Sequence, residues 1–321
     1  MGILLLEDLA TDARQWLEAR HPVDYRPELL DDAAQLRSQI YKTRALIAPP
    51  RLKINNDLLN FAPCLAAIGR IHDGTDNIDF EACQRRHIRV IQASGATVRA
   101  RAEYLLWTLL TLFRSSGSRH APGELLERTL GREINDSVIG LFGLTPAAHV
   151  LAGMLVALGA RVVGYDPAVH RNAELWGRLG VQPMGLTEML ELADAVSVQL
   201  VYATRYRALV GERVLAACKP GQLWTSISRP SMFEPQALAQ ALRSGRIGAF
   251  MMDSDDERVS APDSPLRGLL NLRITPRLAP YTHESKARGS WYLVDRIHEA
   301  LMLSDAREQT GPGESAPMPL A

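Results

Sequence analysis

Cysteine is scarce. Only Cys64, Cys83 and Cys218 occur in 321 residues, and no C-x-x-C or Cys/His cluster offers metal-ligand spacing. An odd, sparse count fits a reducing compartment, and the three read as small apolar side chains. An excess of one charge is also lacking. Lys+Arg and Asp+Glu both number 36, so no general pull toward nucleic acid or an anionic membrane follows. The opening MGILLLEDLA has no basic n-region and no cleavage site. It does not read as a signal peptide, and a cytoplasmic location is expected. No repeat at a solenoid period occurs. One apolar run, Val138–Gly164, is long enough to span a bilayer. Thr145, Pro146, His149 and several glycines interrupt it, so a strand, a turn and a buried helix explain it better. No metal site, nucleic-acid partner or membrane span is expected.

What is present is ordinary for a soluble globular chain: 46% apolar and 22% charged residues. The length suits two domains. The first part alternates short apolar runs with helical periodicity. Strands are expected at Ile3–Leu6, Val23–Arg26, Ala45–Ala48 and Leu65–Arg70. Helices are expected at Leu9–Ala19, Asp31–Ile40 and Asp57–Phe61. A long apolar helix, Ala100–Phe113, is expected to cross to the second domain, followed by a polar loop at Ser115–His120. The second part predicts six strands: Ser137–Leu141, Arg161–Tyr165, Ala195–Leu200, Gln222–Ile227, Gly248–Met252 and Leu272–Thr275. Helices fall at Pro146–Leu158, Leu186–Ala193, Val214–Cys218 and Pro235–Ser244. His283–Leu303 has helical periodicity. Glu308–Ala321, rich in Gly, Pro and Ser, is expected to be disordered.

This pattern predicts an α/β protein with two doubly wound parallel-sheet domains. One is flavodoxin-like and substrate-binding, built from 1–101 and 283–307. The other is a Rossmann domain, 102–282, with a tail at 308–321.

The most informative unit is S-V-I-G-L-F-G-L-T-P-A-A-H-V-L. Gly143 falls at a strand-to-helix turn, and Asp166 ends the next strand 23 residues on. A dinucleotide site needs this arrangement. The helix N-terminus offers free N–H groups and partial positive charge to a pyrophosphate. The acidic residue accepts from the adenosine ribose hydroxyls, which favours NAD over NADP. Against G-x-G-x-x-G/A, the chain reads Gly143-Leu144-Thr145-Pro146-Ala147-Ala148. Thr145 departs from the pattern, because a Cβ there crowds the pyrophosphate. Pro146 suits a first helical turn. A βαβ unit that holds no nucleotide is the competing interpretation of these residues alone.

The chain resembles the D-isomer-specific 2-hydroxyacid dehydrogenases, within them the phosphoglycerate dehydrogenase-like group. Several ordered blocks carry the resemblance. They are G-R-I-H-D-G-T-D-N-I-D (69–79), A-R-V-V-G-Y-D-P (160–167), K-P-G-Q-L-W-T-S-I-S-R (219–229), A-L-A-Q-A-L-R-S-G-R-I-G-A (237–249) and D-S-P-L-R-G-L-L-N-L-R-I-T-P (263–276). The resemblance implies hydride transfer between a nicotinamide and C2 of a 2-hydroxy or 2-keto acid. It implies NAD as cofactor, with NADP as the lesser alternative, a small acid as substrate, and a homodimer paired through the nucleotide domain. The helix Ala102–Phe113 and the segment after it would form that contact.

The resemblance also implies roles by position. Arg229 matches the arginine that binds the substrate carboxylate, although Pro230-Ser231 replaces a Gly-Gly pair. The catalytic histidine position falls on Arg277, which stays protonated and cannot shuttle a proton. Ungapped, the partner glutamate position falls on Arg258. A one-residue shift brings Glu257 there and would pair it with Arg277 as a salt bridge. His72, Asp73 and Gly74 occupy the carboxylate-binding loop, with His72 as a candidate replacement proton donor or simply an exposed loop histidine. Gly143, Thr145, Pro146, Ala147, Asp166, Val201, Ser228 and Asp253 make up the implied cofactor set. Glu103 and Tyr104 stand where the family has Glu-His. Two functions stay open: a dehydrogenase with a rebuilt site, and a non-catalytic relative that binds nucleotide or a partner.

Overall fold

The computed structural model describes residues 2–71, 77–115, 130–201 and 203–310. The chain divides into two compact units, Met1–Thr97 with Thr282–Ala321, and Val98–Tyr281.

The first unit holds a five-stranded sheet. Its strands are β1 (Gly2–Leu5), β2 (Val23–Tyr25), β3 (Thr43–Ile47), β4 (Ala67–Arg70) and β5 (Arg89–Gln92). They pair in parallel in the order β2-β1-β3-β4-β5, the flavodoxin-like winding. Alternate residues face opposite sides, as the strand period of two requires. Ile3, Leu5, Ala45, Ile47 and Ala67 pack in one buried cluster. Leu4, Leu46 and Ile68 pack in another. Each fully buried Leu or Ile contributes roughly 1.5–3 kcal/mol. The helix His283–Thr310 returns to this unit, and its Leu293, Val294 and Ile297 join the first cluster. That helix runs through Thr310, and residues 311–321 of the segment expected to be disordered lie outside the described residues. Ala306, Arg307, Glu308 and Gln309 are all good helix formers and extend it.

The helix Phe80–Arg85 and β5 were missed in the sequence. Their signal was the Asp79 cap, whose carboxylate accepts from the Ala82 N–H at 2.8 Å.

The first unit also carries a histidine pair. His21 Nε2 lies 2.9 Å from His298 Nδ1, with the Trp16 ring edge-on to His298. Burial lowers the His21 pKa below the ordinary 6.5, and the His298, Arg44 and Arg20 charges add to this against Asp305. The unfolded chain therefore takes up this proton first as pH falls. The contribution of neutral His21 to stability is full above pH 6.5 and is lost as pH falls through the folded value. The thermal midpoint is expected to drop more between pH 7 and pH 5 in the wild type than in His21→Gln. Equal slopes in differential scanning calorimetry would count against this.

The second unit holds seven strands: β6 (Val138–Phe142), β7 (Arg161–Tyr165), β8 (Gln182–Pro183), β9 (Ala195–Val198), β10 (Gln222–Ser226), β11 (Ile247–Asp253) and β12 (Leu272–Thr275). They are parallel, in the order β12-β11-β10-β9-β6-β7-β8. This is a Rossmann winding extended by one strand, with its switch point between β6 and β9. The expectation of six strands missed β8, a two-residue edge strand ending in Pro183. Nothing that short shows periodicity. The apolar run 138–164 resolves into β6, the helix Pro146–Ala157 and β7. No helix among the described residues is long and apolar enough to cross a membrane.

Both faces of this sheet are buried. Phe142, Val196, Val198, Trp224, Phe250 and Met252 point to one side. Ile139, Leu141, Ala195, Leu223 and Met251 point to the other. Trp224 is fully buried and meets Phe233 and Phe250 edge-on. The helix Val98–Ser115 packs on the sheet through Thr108, whose hydroxyl lies 2.7 Å from Thr225 Oγ1. Asp194 fixes the start of β6. It accepts from Val138 N–H at 2.9 Å, Lys219 Nζ at 2.7 Å and Arg132 Nη1 at 3.2 Å.

Candidate active site

In a doubly wound sheet, ligands bind beyond the carboxyl ends of the strands at the switch point. The residues after β6 and β9 meet there. Gly143 takes φ +102°, a conformation open to glycine alone among ordinary residues. A Cβ on Gly143 would lie 2.7 Å from Gln199 C and from Leu200 N. The close approach of these two backbones is what requires glycine.

Thr145 caps the helix Pro146–Ala157. Its hydroxyl accepts from the Ala148 N–H at 3.3 Å and lies 3.4 Å from Gln199 Oε1. Thr before Pro is a helix-start signal, with Ncap followed by a first-turn proline. The Ala147 N–H has no hydrogen bond among the described residues, so one donor of the first turn stays available to an anion. Asp166 ends β7. Its Oδ2 accepts from the Leu144 N–H at 2.6 Å and its Oδ1 from the Ala168 N–H at 2.7 Å. The carboxylate thus braces the glycine turn, and each oxygen keeps a further lone pair for a ribose hydroxyl. A close-packed glycine turn, an open helix N-terminus and an acidic strand end fit a dinucleotide.

Ser228 is buried, and its hydroxyl donates toward Leu200 O at 3.2 Å and Val198 O at 3.4 Å. It ties the chain after β10 to the chain after β9. Val201 is 72% exposed. His72, Asp73 and Gly74 lie outside the described residues. The segments flanking them are stapled to the turn after β3. The guanidinium of Arg70 is fully buried and donates to Ala48 O at 3.1 Å, to Leu52 O at 3.0 Å and to Pro49 O. Burial lowers its pKa to about 10, against the opposing effect of Glu7, so it stays charged near neutrality. Asn77 donates to Leu52 O at 2.6 Å and to Pro50 O.

Arg229 follows β10 and Arg277 follows β12. Burial lowers the Arg229 pKa, and the positive charge of Arg277 lowers it further. Arg277 sits at φ +52°. A non-glycine residue there costs about 1–3 kcal/mol. Its N–H folds back onto Thr275 O at 2.9 Å. Its side chain pairs with Asp255 at 3.6 Å, so the salt bridge considered with Glu257 is replaced by one two residues earlier. Glu257 instead opens the short helix Glu257–Ser260 with an exposed side chain.

Asp253 is buried and holds the chain on both sides of Arg277. Its Oδ1 accepts from Thr275 Oγ1 at 2.6 Å and from the Leu278 N–H at 2.7 Å, and its Oδ2 from the Ala279 N–H at 2.9 Å. Thr275 and Gln199 were missed in the sequence. Their importance lies in side-chain contacts between segments far apart in the chain. Among the described residues, no group of three or more His, Cys, Asp or Glu could hold a metal ion.

Residues 105–279 match the D-isomer specific 2-hydroxyacid dehydrogenase, NAD binding domain. The chain is 35% identical over 303 residues to the (S)-sulfolactate dehydrogenase of Chromohalobacter salexigens, covering 93% of this chain and 98% of that one. The chain belongs to the D-isomer-specific 2-hydroxyacid dehydrogenase family. This family member is an oxidoreductase with a nicotinamide-dinucleotide domain in its second unit. It is 28% identical to the D-3-phosphoglycerate dehydrogenase of Mycobacterium leprae over 274 residues, which is 84% of this chain but 51% of that one. It thus spans about half the length of that relative. Among solved structures, the D-lactate dehydrogenase of Aquifex aeolicus complexed with NAD and lactic acid has the same fold. The TM-score is 0.76 at 21% identity, covering 98% of this chain and 99% of that one.

Proposed function

We propose that this chain is an NAD-linked dehydrogenase of a 2-hydroxy acid that carries a second strong anion, such as a sulfonate or a phosphate. What supports this is that Arg229 and Arg277 follow the carboxyl ends of β10 and β12 of one parallel sheet, with the Arg277 charge lowering the Arg229 pKa. Two neighbouring guanidinium groups suit a ligand with two negative charges. The relative named for sulfolactate supports a sulfonate as the second anion. Asp166 favours NAD over NADP, since its charge would repel a 2′-phosphate.

The Gly143 turn, the N-terminus of the Pro146–Ala157 helix and Asp166 would hold the dinucleotide, whose nicotinamide would supply hydride chemistry at C2. Arg229 binds the substrate carboxylate through its planar fork. Arg277 holds the C2 oxygen and the second anion. Its positive charge stabilises the alkoxide that develops on reduction without giving up a proton. Water brings the proton, with the loop histidine His72 as the competing source. Residues 1–101 and 283–307 serve as the substrate domain and 102–282 as the nucleotide domain. The active form is a cytoplasmic homodimer formed through the face of the Val98–Ser115 helix that leaves Trp107 and Leu110 about half exposed.

The test is a titration with NADH and NADPH, followed by assay of sulfopyruvate, 3-phosphohydroxypyruvate and pyruvate. NADH is expected to bind more tightly than NADPH, and the dianionic keto acids to turn over faster than pyruvate. With arginine rather than an imidazole at position 277, kcat for reduction is expected to vary less than about threefold between pH 6 and 9. Arg277→His should gain pyruvate reduction and a new pH limb near the imidazole range. A wild-type limb near pH 6–7 that vanishes in His72→Ala would assign the proton to His72. NADH binding with no turnover of any panel member would make the chain a binding module.

A further inference from the structure

Tyr104 lies on the Val98–Ser115 helix and is 8% exposed. Its hydroxyl lies 2.6 Å from Thr275 Oγ1. That threonine hydroxyl is in turn 2.6 Å from Asp253 Oδ1. The direction of the chain follows from proton counting. The Thr275 hydroxyl donates to Asp253 Oδ1, and a hydroxyl has one hydrogen to give. Tyr104 must then be the donor to Thr275. Burial raises the phenol to about 12, with Asp253 adding to the rise and the Thr275 bond opposing it, so the donor stays protonated at working pH.

The far end of this chain is the turn that carries Arg277. Asp253 accepts from Thr275 on one side of Arg277 and from the Leu278 and Ala279 N–H groups on the other. The Ser254 N–H also donates to Thr275 O at 2.8 Å. The left-handed backbone of Arg277 is thus held at both flanks by one carboxylate, and that carboxylate is oriented by a threonine fixed by Tyr104.

We propose that Tyr104 is a positioning residue for Arg277: through Thr275 and Asp253 it fixes the 275–279 turn in the strained conformation that directs the Arg277 guanidinium. This rests on Arg277 being a substrate-binding group. Tyr104 itself need not touch substrate. Its phenol holds a turn that unconstrained arginine would leave.

The test measures Tyr104→Phe in three ways. First, kcat/KM for sulfopyruvate is expected to fall about tenfold, with the Kd of NADH within about twofold of wild type. Second, amide exchange in the peptide spanning 276–281 is expected to quicken by about tenfold or more, since the Leu278 and Ala279 N–H groups lose a fixed acceptor. Third, in an Arg277→Ala background, Tyr104→Phe should change kcat/KM by less than about twofold, because the group it positions is gone. The same fold-loss in both backgrounds, or unchanged amide exchange, overturns the proposal. Thr275→Val should reproduce the Tyr104→Phe effects and Thr275→Ser should restore them, which keeps the test decisive if Tyr104→Phe folds poorly. If the wild type reduces no 2-keto acid, the proposed function fails while the exchange measurement still decides the role of Tyr104.

Discussion

Arg229→Gln is expected to lower kcat/KM for 2-keto acid reduction by about 10²- to 10³-fold while leaving NADH affinity within about twofold. Removing one partner of a desolvated charge pair costs about 3–5 kcal/mol, and each 1.36 kcal/mol is about tenfold in rate. The lower end of that range applies here for two reasons. The Arg229 side chain is exposed in the free protein, and its removal relieves the effect that the Arg277 charge has on it. Arg229→Lys keeps the charge and loses the fork, so a smaller fall of about tenfold is expected. Steady-state kinetics with a fixed, saturating NADH concentration separates these outcomes. A parallel loss of NADH affinity in both variants would assign Arg229 to the nucleotide domain's scaffold rather than to the substrate.

The fold was legible because its signals are local. The strand Arg161–Tyr165 and the strand Leu272–Thr275 fall where alternation and flanking turns put them. Gly143 and Asp166 were legible for the same reason, since one strand and one helix fix their spacing. The Gln182–Pro183 strand was invisible because two residues have no period. Thr145 was half legible. Read against a glycine pattern it was a departure, but its bond to the Ala148 N–H makes it a helix cap, which its neighbour Pro146 announces. The environment of Arg277 was not legible at all. Its φ of +52°, its partner Asp255 and the Asp253 clamp depend on how residues 253, 275 and 278 converge. Side-chain convergence of that kind leaves no trace in composition or periodicity.

Gly143→Ala is expected to be the most damaging single methyl in the nucleotide unit. Two separate penalties add. Alanine at φ +102° is strained by about 1–3 kcal/mol. Its Cβ would also lie 2.7 Å from Gln199 C and Leu200 N, and these are backbone atoms that no rotamer change can move aside. Overpacking of that kind costs about 1–3 kcal/mol. The sum, about 2–6 kcal/mol, should lower the thermal midpoint of the 98–281 unit by about 4–24 °C. The relief available is for the turn to back away from the chain after β9. That movement carries the Leu144 N–H away from Asp166 and tilts the helix N-terminus that would face a pyrophosphate. NADH affinity is therefore expected to fall by more than about tenfold, because a displacement near 1 Å can cost about 10²-fold where geometry is tight. Gly153→Ala, on the same helix, is the matched control. An added Cβ there meets nothing within 4 Å, so it should raise stability by about 0.5–1 kcal/mol through helix propensity and leave NADH binding unchanged. Calorimetry and fluorescence titration on the two variants separate packing from binding. If Gly143→Ala lost stability but kept full NADH affinity, the glycine would serve the close approach of two strands alone, and the dinucleotide would have to rest on Asp166 and the helix terminus without it.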